Sequence, residues 1–234
     1  MIYKWVMPWM NRFQWIEDLI TRSIIAQPLE KFIGDIALYC STDKKSKYYH
    51  VRSKILEGAF EKLKFLIQEG EYSQVILVGH SLGSVIAYDT LARLNKELNI
   101  VPNLIASSEK IKGLVTFGSP LDKIAFFFDE QIDKEQLIRA AIVSQLYGFR
   151  RVHVDTHTVE SGVHSHFGRL KWLNFWTKTD PVSGHLDVYK EVENISMDFS
   201  DKIDKGIKGA ISSHSLYWTS EEMFQRIFKE FVQL

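Results

Sequence analysis

The stretch from Gln74 to Asp89 does most to limit what this chain can fold into. It opens on an apolar run, Val75-Ile76-Leu77-Val78, rich in β-branched side chains and bounded by polar residues. Such a run reads as a strand buried on both faces. Gly79-His80-Ser81-Leu82-Gly83 follows, and then Leu82, Val85, Ile86, Thr90 and Leu91 recur at helical spacing with no proline between them. The pattern is strand, sharp turn, helix, with a serine at the turn, and this context gives Gly-x-Ser-x-Gly its meaning as a nucleophile elbow. A serine hydroxyl is a weak nucleophile at neutral pH and needs a neighbouring base. A strained turn lifts it clear of the backbone, and Gly79 and Gly83 are both expected to let strand and helix close around it. The helix N-terminus adds unpaired N–H groups and a dipole that favours negative charge at the reacting centre.

A length of 234 residues suits a single domain with one sizeable core. Lys+Arg and Asp+Glu both total 29, so no net charge draws the chain to nucleic acid. The one cysteine, Cys40, excludes an internal disulfide. With no signal-like N-terminus and no spanning apolar stretch, this points to a cytoplasmic protein. Residues 1–33 form an aromatic, helical N-terminal segment carrying Tyr3, Trp5, Trp9, Phe13 and Trp15. Packing on the protein body is the favoured reading of that helix. Peripheral contact with a membrane is the other, but Glu17 and Asp18 leave it without a basic face.

Val78-Gly79-His80-Ser81-Leu82-Gly83-Ser84 resembles the elbow of lipase-like α/β-hydrolases. Two further stretches resemble the same group. Thr116-Phe117-Gly118-Ser119-Pro120 ends a second buried strand. Trp176 with Asp180-Pro181-Val182-Ser183-Gly184 follows a third strand, Lys171 to Trp176. The resemblance runs from about Asp35 to the C-terminus. It implies an α/β fold of α/β-hydrolase type, with a mostly parallel sheet flanked by helices. It also implies an esterase or lipase activity through an acyl-enzyme, acting on a small-molecule or lipid ester without a cofactor. Ser81 would be the nucleophile, Asp180 the acid and His214 the base, in the chain order of that superfamily. The Leu82 backbone N–H would be one oxyanion donor, with the second left open. An inactive interaction module of the same fold, or an acyltransferase using the same three residues, are the alternatives.

The rest of the chain is read around these points. A helix is expected over Arg52 to Glu69 with Ile55, Phe60, Leu63 and Leu66 inward, stopped by Gly70. Asn99 to Lys112 reads as a connecting loop. Residues 122–170 are long for a connection between strands and suggest a cap or lid, with Phe126 to Phe128 and a helix over Lys134 to Leu146. A last strand is expected at Val192 to Met197. His214 should lie on a loop before a C-terminal helix, Ser220 to Val232, with Met223, Ile227 and Phe231 inward. His80 reads as a packing or polar elbow residue, because its side chain leaves the turn away from that of Ser81. Asp122 and Asp187 are rival acids and His185 a rival base. His153 and His157 lack the partners a metal site needs. Upstream of Val75 only Gly34 to Tyr39 could be a strand, and no His-Gly pair occurs to supply the second oxyanion donor. The reading therefore expects the N-terminal strands of such a sheet to be lacking.

Overall fold

The computed structural model describes Gly34 and residues 47–124, 164–203 and 207–233. The expectations for the aromatic segment, for the rest of the element at Gly34 to Tyr39, for Phe126 to Phe128, for the helix at Lys134 to Leu146 and for His153 and His157 lie outside the described residues. The architecture is α/β. Four strands, β1 (Val75–His80), β2 (Ile111–Phe117), β3 (Lys171–Trp176) and β4 (Val192–Ser196), lie in the order β1-β2-β3-β4. Every neighbouring pair is parallel. Among the described residues β1 is an edge of this sheet, and its Val78 is 52% exposed.

Strand side chains alternate between two faces, and each face has its own core. On one side Leu114 and Trp172 pack with α1 (Lys47–Gln68) and α2 (Leu82–Leu98), through Phe60, Leu63, Ile67, Tyr88, Leu91 and Leu94. On the other, Val115, Phe117, Leu173 and Phe175 pack with Tyr217, Met223 and Phe231. Leu114 is fully buried, and its truncation to alanine would cost about 2–5 kcal/mol.

The helices explain two departures from the sequence reading. α1 begins five residues before Arg52, and its inward stripe is Leu56, Phe60, Leu63 and Ile67, while Ile55 is left 42% exposed. The stripe follows the spacing i, i+4, i+7, i+11 of a helix packed on one face. The helix closes where Gly70 N–H donates to the Phe65 carbonyl at 3.0 Å. The connection after α2 is not plain loop: Pro102–Leu104 is a 3-10 turn, leading into the short α3 (Ile105–Ser108). After β4 come α4 (Ile207–Leu216) and α5 (Glu221–Phe231). α5 starts at Ser220, whose hydroxyl accepts from Met223 N–H at 3.3 Å, and it buries Met223 and Phe231.

A polar ladder crosses the sheet. Thr116, Asn174 and Asn194 sit in register on three adjacent strands. Thr116 Oγ1 donates to Asn174 Oδ1 at 2.9 Å, and Asn174 Nδ2 donates to Asn194 Oδ1 at 2.8 Å and to the Gly184 carbonyl at 3.0 Å. Trp172 Nε1–H caps one end on Thr116 Oγ1, and Leu186 N–H donates to Asn194 Oδ1. Satisfied in this way, buried polar groups specify one register of strands and pin the backbone at residues 184–186.

Candidate active site

β1 delivers Ser81 into a backbone conformation few non-glycine residues adopt, φ 55 and ψ −130. Strain of that kind costs about 1–3 kcal/mol and persists only where neighbours over-determine it. Here Ser81 N–H donates to the Phe117 carbonyl at 3.1 Å, Ser84 N–H to the Ser81 carbonyl at 2.9 Å, and Ser84 Oγ to the Gly79 carbonyl at 3.0 Å. Gly79 is required: a Cβ there would lie 2.6 Å from the Gly83 oxygen and from Ser84 Cα. Gly83 is not, because a Cβ on it would meet nothing within 4 Å. The close approach comes from the strand side of the turn alone, which corrects the expectation for the second glycine. Ser81 holds the N-cap position of α2 without its side chain capping the helix. Leu82 is the first helical residue, and an N–H at that position has no acceptor within the helix.

β3 leads into the turn that carries Asp180. Thr177 N–H donates to Ser183 Oγ at 3.1 Å, closing the turn, and Val182 N–H donates to Asp180 Oδ1 at 2.9 Å. The other carboxylate oxygen, Oδ2, accepts from His214 Nδ1 at 2.8 Å. Asp180 is 2% exposed. A carboxylate can only accept, so Nδ1 carries the proton and the lone pair of neutral His214 belongs to Nε2. Two bonds from the chain around His214 seat it: Ser213 Oγ donates to the Thr179 carbonyl at 2.8 Å, and Tyr217 OH to Ser183 Oγ at 3.0 Å. Burial, and then the Asp180 charge, push the Tyr217 hydroxyl well above its usual range, so it stays a neutral donor.

His214 lies in α4, not on a loop. Serine competes locally for backbone bonds and is ordinarily favoured in turns. In the fold the Ser213 hydroxyl is engaged across the structure by Thr179, and the helix runs through. The rival acids and base go elsewhere. His185 and Asp187 pair with each other at 2.6 Å on the surface. The Asp122 carboxylate lies against Gly184 and takes Lys123 Nζ at 3.0 Å, and the same Nζ donates to the Ser183 carbonyl. Burial pushes the Asp122 carboxyl up, and Lys123 offsets part of this. Gly118 N–H donates to the Phe175 carbonyl at 3.3 Å, which commits that amide to the neighbouring strand.

His80, Trp218 and Gly118 complete the arrangement. His80 Nε2 lies 2.9 Å from the backbone oxygen of His214, and Trp218 Nε1–H donates to His80 Nδ1 at 3.3 Å. The two histidine rings are 4.7 Å apart. Gly118, with φ +56, lies against both. The sequence shows Trp218 four residues after His214 and His80 beside Ser81, but nothing local tells that the two meet. Among the described residues no three His, Cys, Asp or Glu side chains gather as a metal site, and no helix is long and apolar enough to cross a membrane.

A family model described as Lipase (class 3) matches residues 10–137, more than half of the chain. The match includes Ser81 and the Gly118-Ser119-Pro120 loop and stops before Asp180 and His214. No curated protein matches the sequence. Among solved structures, an alpha/beta hydrolase enzyme from the metagenome of sediments from the lagoon of Mar Chica, Morocco, is similar at 18% identity. The likeness covers 82% of this chain and 74% of that one, with a TM-score of 0.35.

Proposed function

This chain belongs to the class 3 lipase family, and on that premise we propose that it cleaves a carboxylic ester, small-molecule or lipid, through an acyl-enzyme on Ser81. The observation that carries the reading is the 2.8 Å bond from His214 Nδ1 to a buried Asp180 carboxylate, taken together with a serine strained to φ 55 at the head of a helix.

In this reading His214 Nε2 takes the Ser81 proton as Oγ attacks the ester carbonyl. The imidazolium that forms is stabilised by Asp180, which remains ionised. The oxygen that becomes negative is met by Leu82 N–H and the positive end of α2. As the carbonyl re-forms, His214 gives its proton to the departing alcohol, leaving the acyl group on Ser81. Water then repeats the two proton transfers in the opposite sense and releases the acid.

Labelling with a fluorophosphonate tests this directly, because the probe reacts with an activated serine and ignores an inert one. The parent protein should be labelled and Ser81→Ala should not. Turnover of esters graded in acyl length then defines the substrate. A folded parent that resists the probe would sink the reading and leave an interaction module. Product formed only when an acceptor alcohol or amine is supplied would replace hydrolysis by acyl transfer.

A further inference from the structure

We propose that His80 is a positioning residue for this reaction: it holds the backbone of His214 through a neutral imidazole whose tautomer Trp218 fixes. The inference rests on the serine-hydrolase reading above and adds a residue to it. The partners of His80 act in one direction each. The His214 carbonyl can only accept, so the bond at 2.9 Å places a proton on Nε2. The Trp218 indole can only donate, so the contact at 3.3 Å leaves Nδ1 without one. Together they admit one state, Nε2–H and uncharged. The ring is held flat against Phe117, with centroids 5.0 Å apart at 27°, and edge-on to Trp218 at 5.5 Å.

The surroundings favour the same state. Burial is the largest influence and holds the His80 pKa below the usual histidine range. The carbonyl bond and Asp180 act in the opposite sense, while His214 adds to the lowering. Among the described residues, the titratable groups facing the ring are His214, Asp180 and Tyr217. Neutrality matters because His214 becomes a cation during turnover. A second cation with its ring 4.7 Å away would oppose that step. The link is also short in the chain. His80 is bonded covalently to Ser81, so one hydrogen bond ties the neighbour of the nucleophile to the backbone of the base. It therefore fixes the separation across which the proton must move.

Three variants and one spectroscopic measurement test the proposal. His80→Phe keeps a ring but removes the donor. His80→Gln keeps a donor and cannot charge. Trp218→Phe removes the group that sets the tautomer. For His80→Phe the fluorophosphonate labelling rate and kcat should fall on the order of 10- to 100-fold, the range expected when a reacting group is misplaced by less than about 1 Å. KM should stay within about twofold, and His80→Gln should recover much of the lost kcat. In the parent, ¹⁵N-correlated NMR of the imidazoles should show His80 as Nε2–H at neutral pH. Trp218→Phe should turn that single state into a mixture of tautomers.

Labelling of folded His80→Phe at the parent rate would overturn the proposal. So would an Nδ1–H or charged His80 in the parent at neutral pH. If His80→Phe fails to fold, the glutamine variant and the parent spectrum decide it. A parent that never reacts with the probe defeats the hydrolase reading, while the NMR still reports on the His80 clamp.

Discussion

Gly118→Ala tests whether the position of His214 is set by the loop beneath it. Two effects can be worked from the structure. Gly118 has φ +56, and an alanine in that left-handed region costs roughly 1–2 kcal/mol. Its Cβ would also stand 3.0 Å from His214 Cε1, 3.1 Å from His80 Nε2 and 3.2 Å from His214 Nδ1. Favourable contact begins near about 3.5 Å, so the rings must retreat by roughly 0.3–0.5 Å. His214 cannot do so without disturbing its 2.8 Å bond to Asp180. A 1 Å misplacement of a reacting group costs about 100-fold, so about half that shift should lower kcat roughly 10-fold. The backbone cost should lower the melting temperature by about 2–8 °C for a chain of this size. Gly83→Ala is the matched comparison: it lacks positive φ and a Cβ there meets open space. Its stability should hold or rise by up to about 1 kcal/mol. Thermal melts and ester kinetics on both variants give the answer. A Gly118→Ala protein that melts lower but keeps the parent kcat would refute the argument that the methyl displaces His214. Equal destabilisation by Gly83→Ala would show that the elbow is merely fragile.

Ser81→Ala should abolish turnover while shifting stability by less than about 0.5 kcal/mol, since it removes one hydroxyl that caps nothing; equal kcat in purified protein would end the assignment. Asp180→Asn should lower kcat by a factor on the order of 10⁴, because an amide at that position no longer fixes Nδ1–H on His214 or stabilises its cation. The His80 pKa, lowered in the fold mainly by burial, makes stability depend on pH. The neutral form is favoured, so this contribution is complete above the unfolded value near about 6.5 and is lost as pH falls through the folded value. The fall in melting temperature between pH 8 and pH 5 should therefore be smaller for His80→Gln than for the parent, and an equal or larger fall would contradict it.

The elements were most legible where one local pattern fixed both period and ends. The apolar, β-branched run Val75 to Val78 announced β1, although the strand is an edge with Val78 52% exposed and not buried on both faces as its composition suggested, and the helical recurrence from Leu82 announced α2. Lys171 to Trp176 was legible as an apolar run of the same kind. The period alone did not place the stripe of α1, since Ile55 and Leu66 look as suitable as Leu56 and Ile67 until the helix start is known. Polar residues were the least legible. Nothing local tells that Thr116, Asn174 and Asn194 will stand in register on three strands, because register is a tertiary fact. His214 was expected on a loop and lies in α4, where the hydroxyl of the preceding Ser213 is taken up by the Thr179 carbonyl, 34 residues earlier. His80 showed in the sequence only that it points away from Ser81. Its role against His214 depends on where α4 docks.

The strand order of the sheet is also the order of the chain, and each strand lies parallel to the one made before it. Assembly can therefore proceed in one direction as the chain emerges, each strand adding to an edge already present. Ser81 follows the earliest described strand of this series and Asp180 the third. The histidine arrives only with a helix that follows all four. On the proposed assignment, a partly synthesised chain thus displays Ser81 before its base is in place. In a refolding time course, reactivity toward a fluorophosphonate should lag the growth of the sheet and keep pace with the docking of α4. On the proposed assignment, the chain carries Ser81 unarmed while all four strands are laid down.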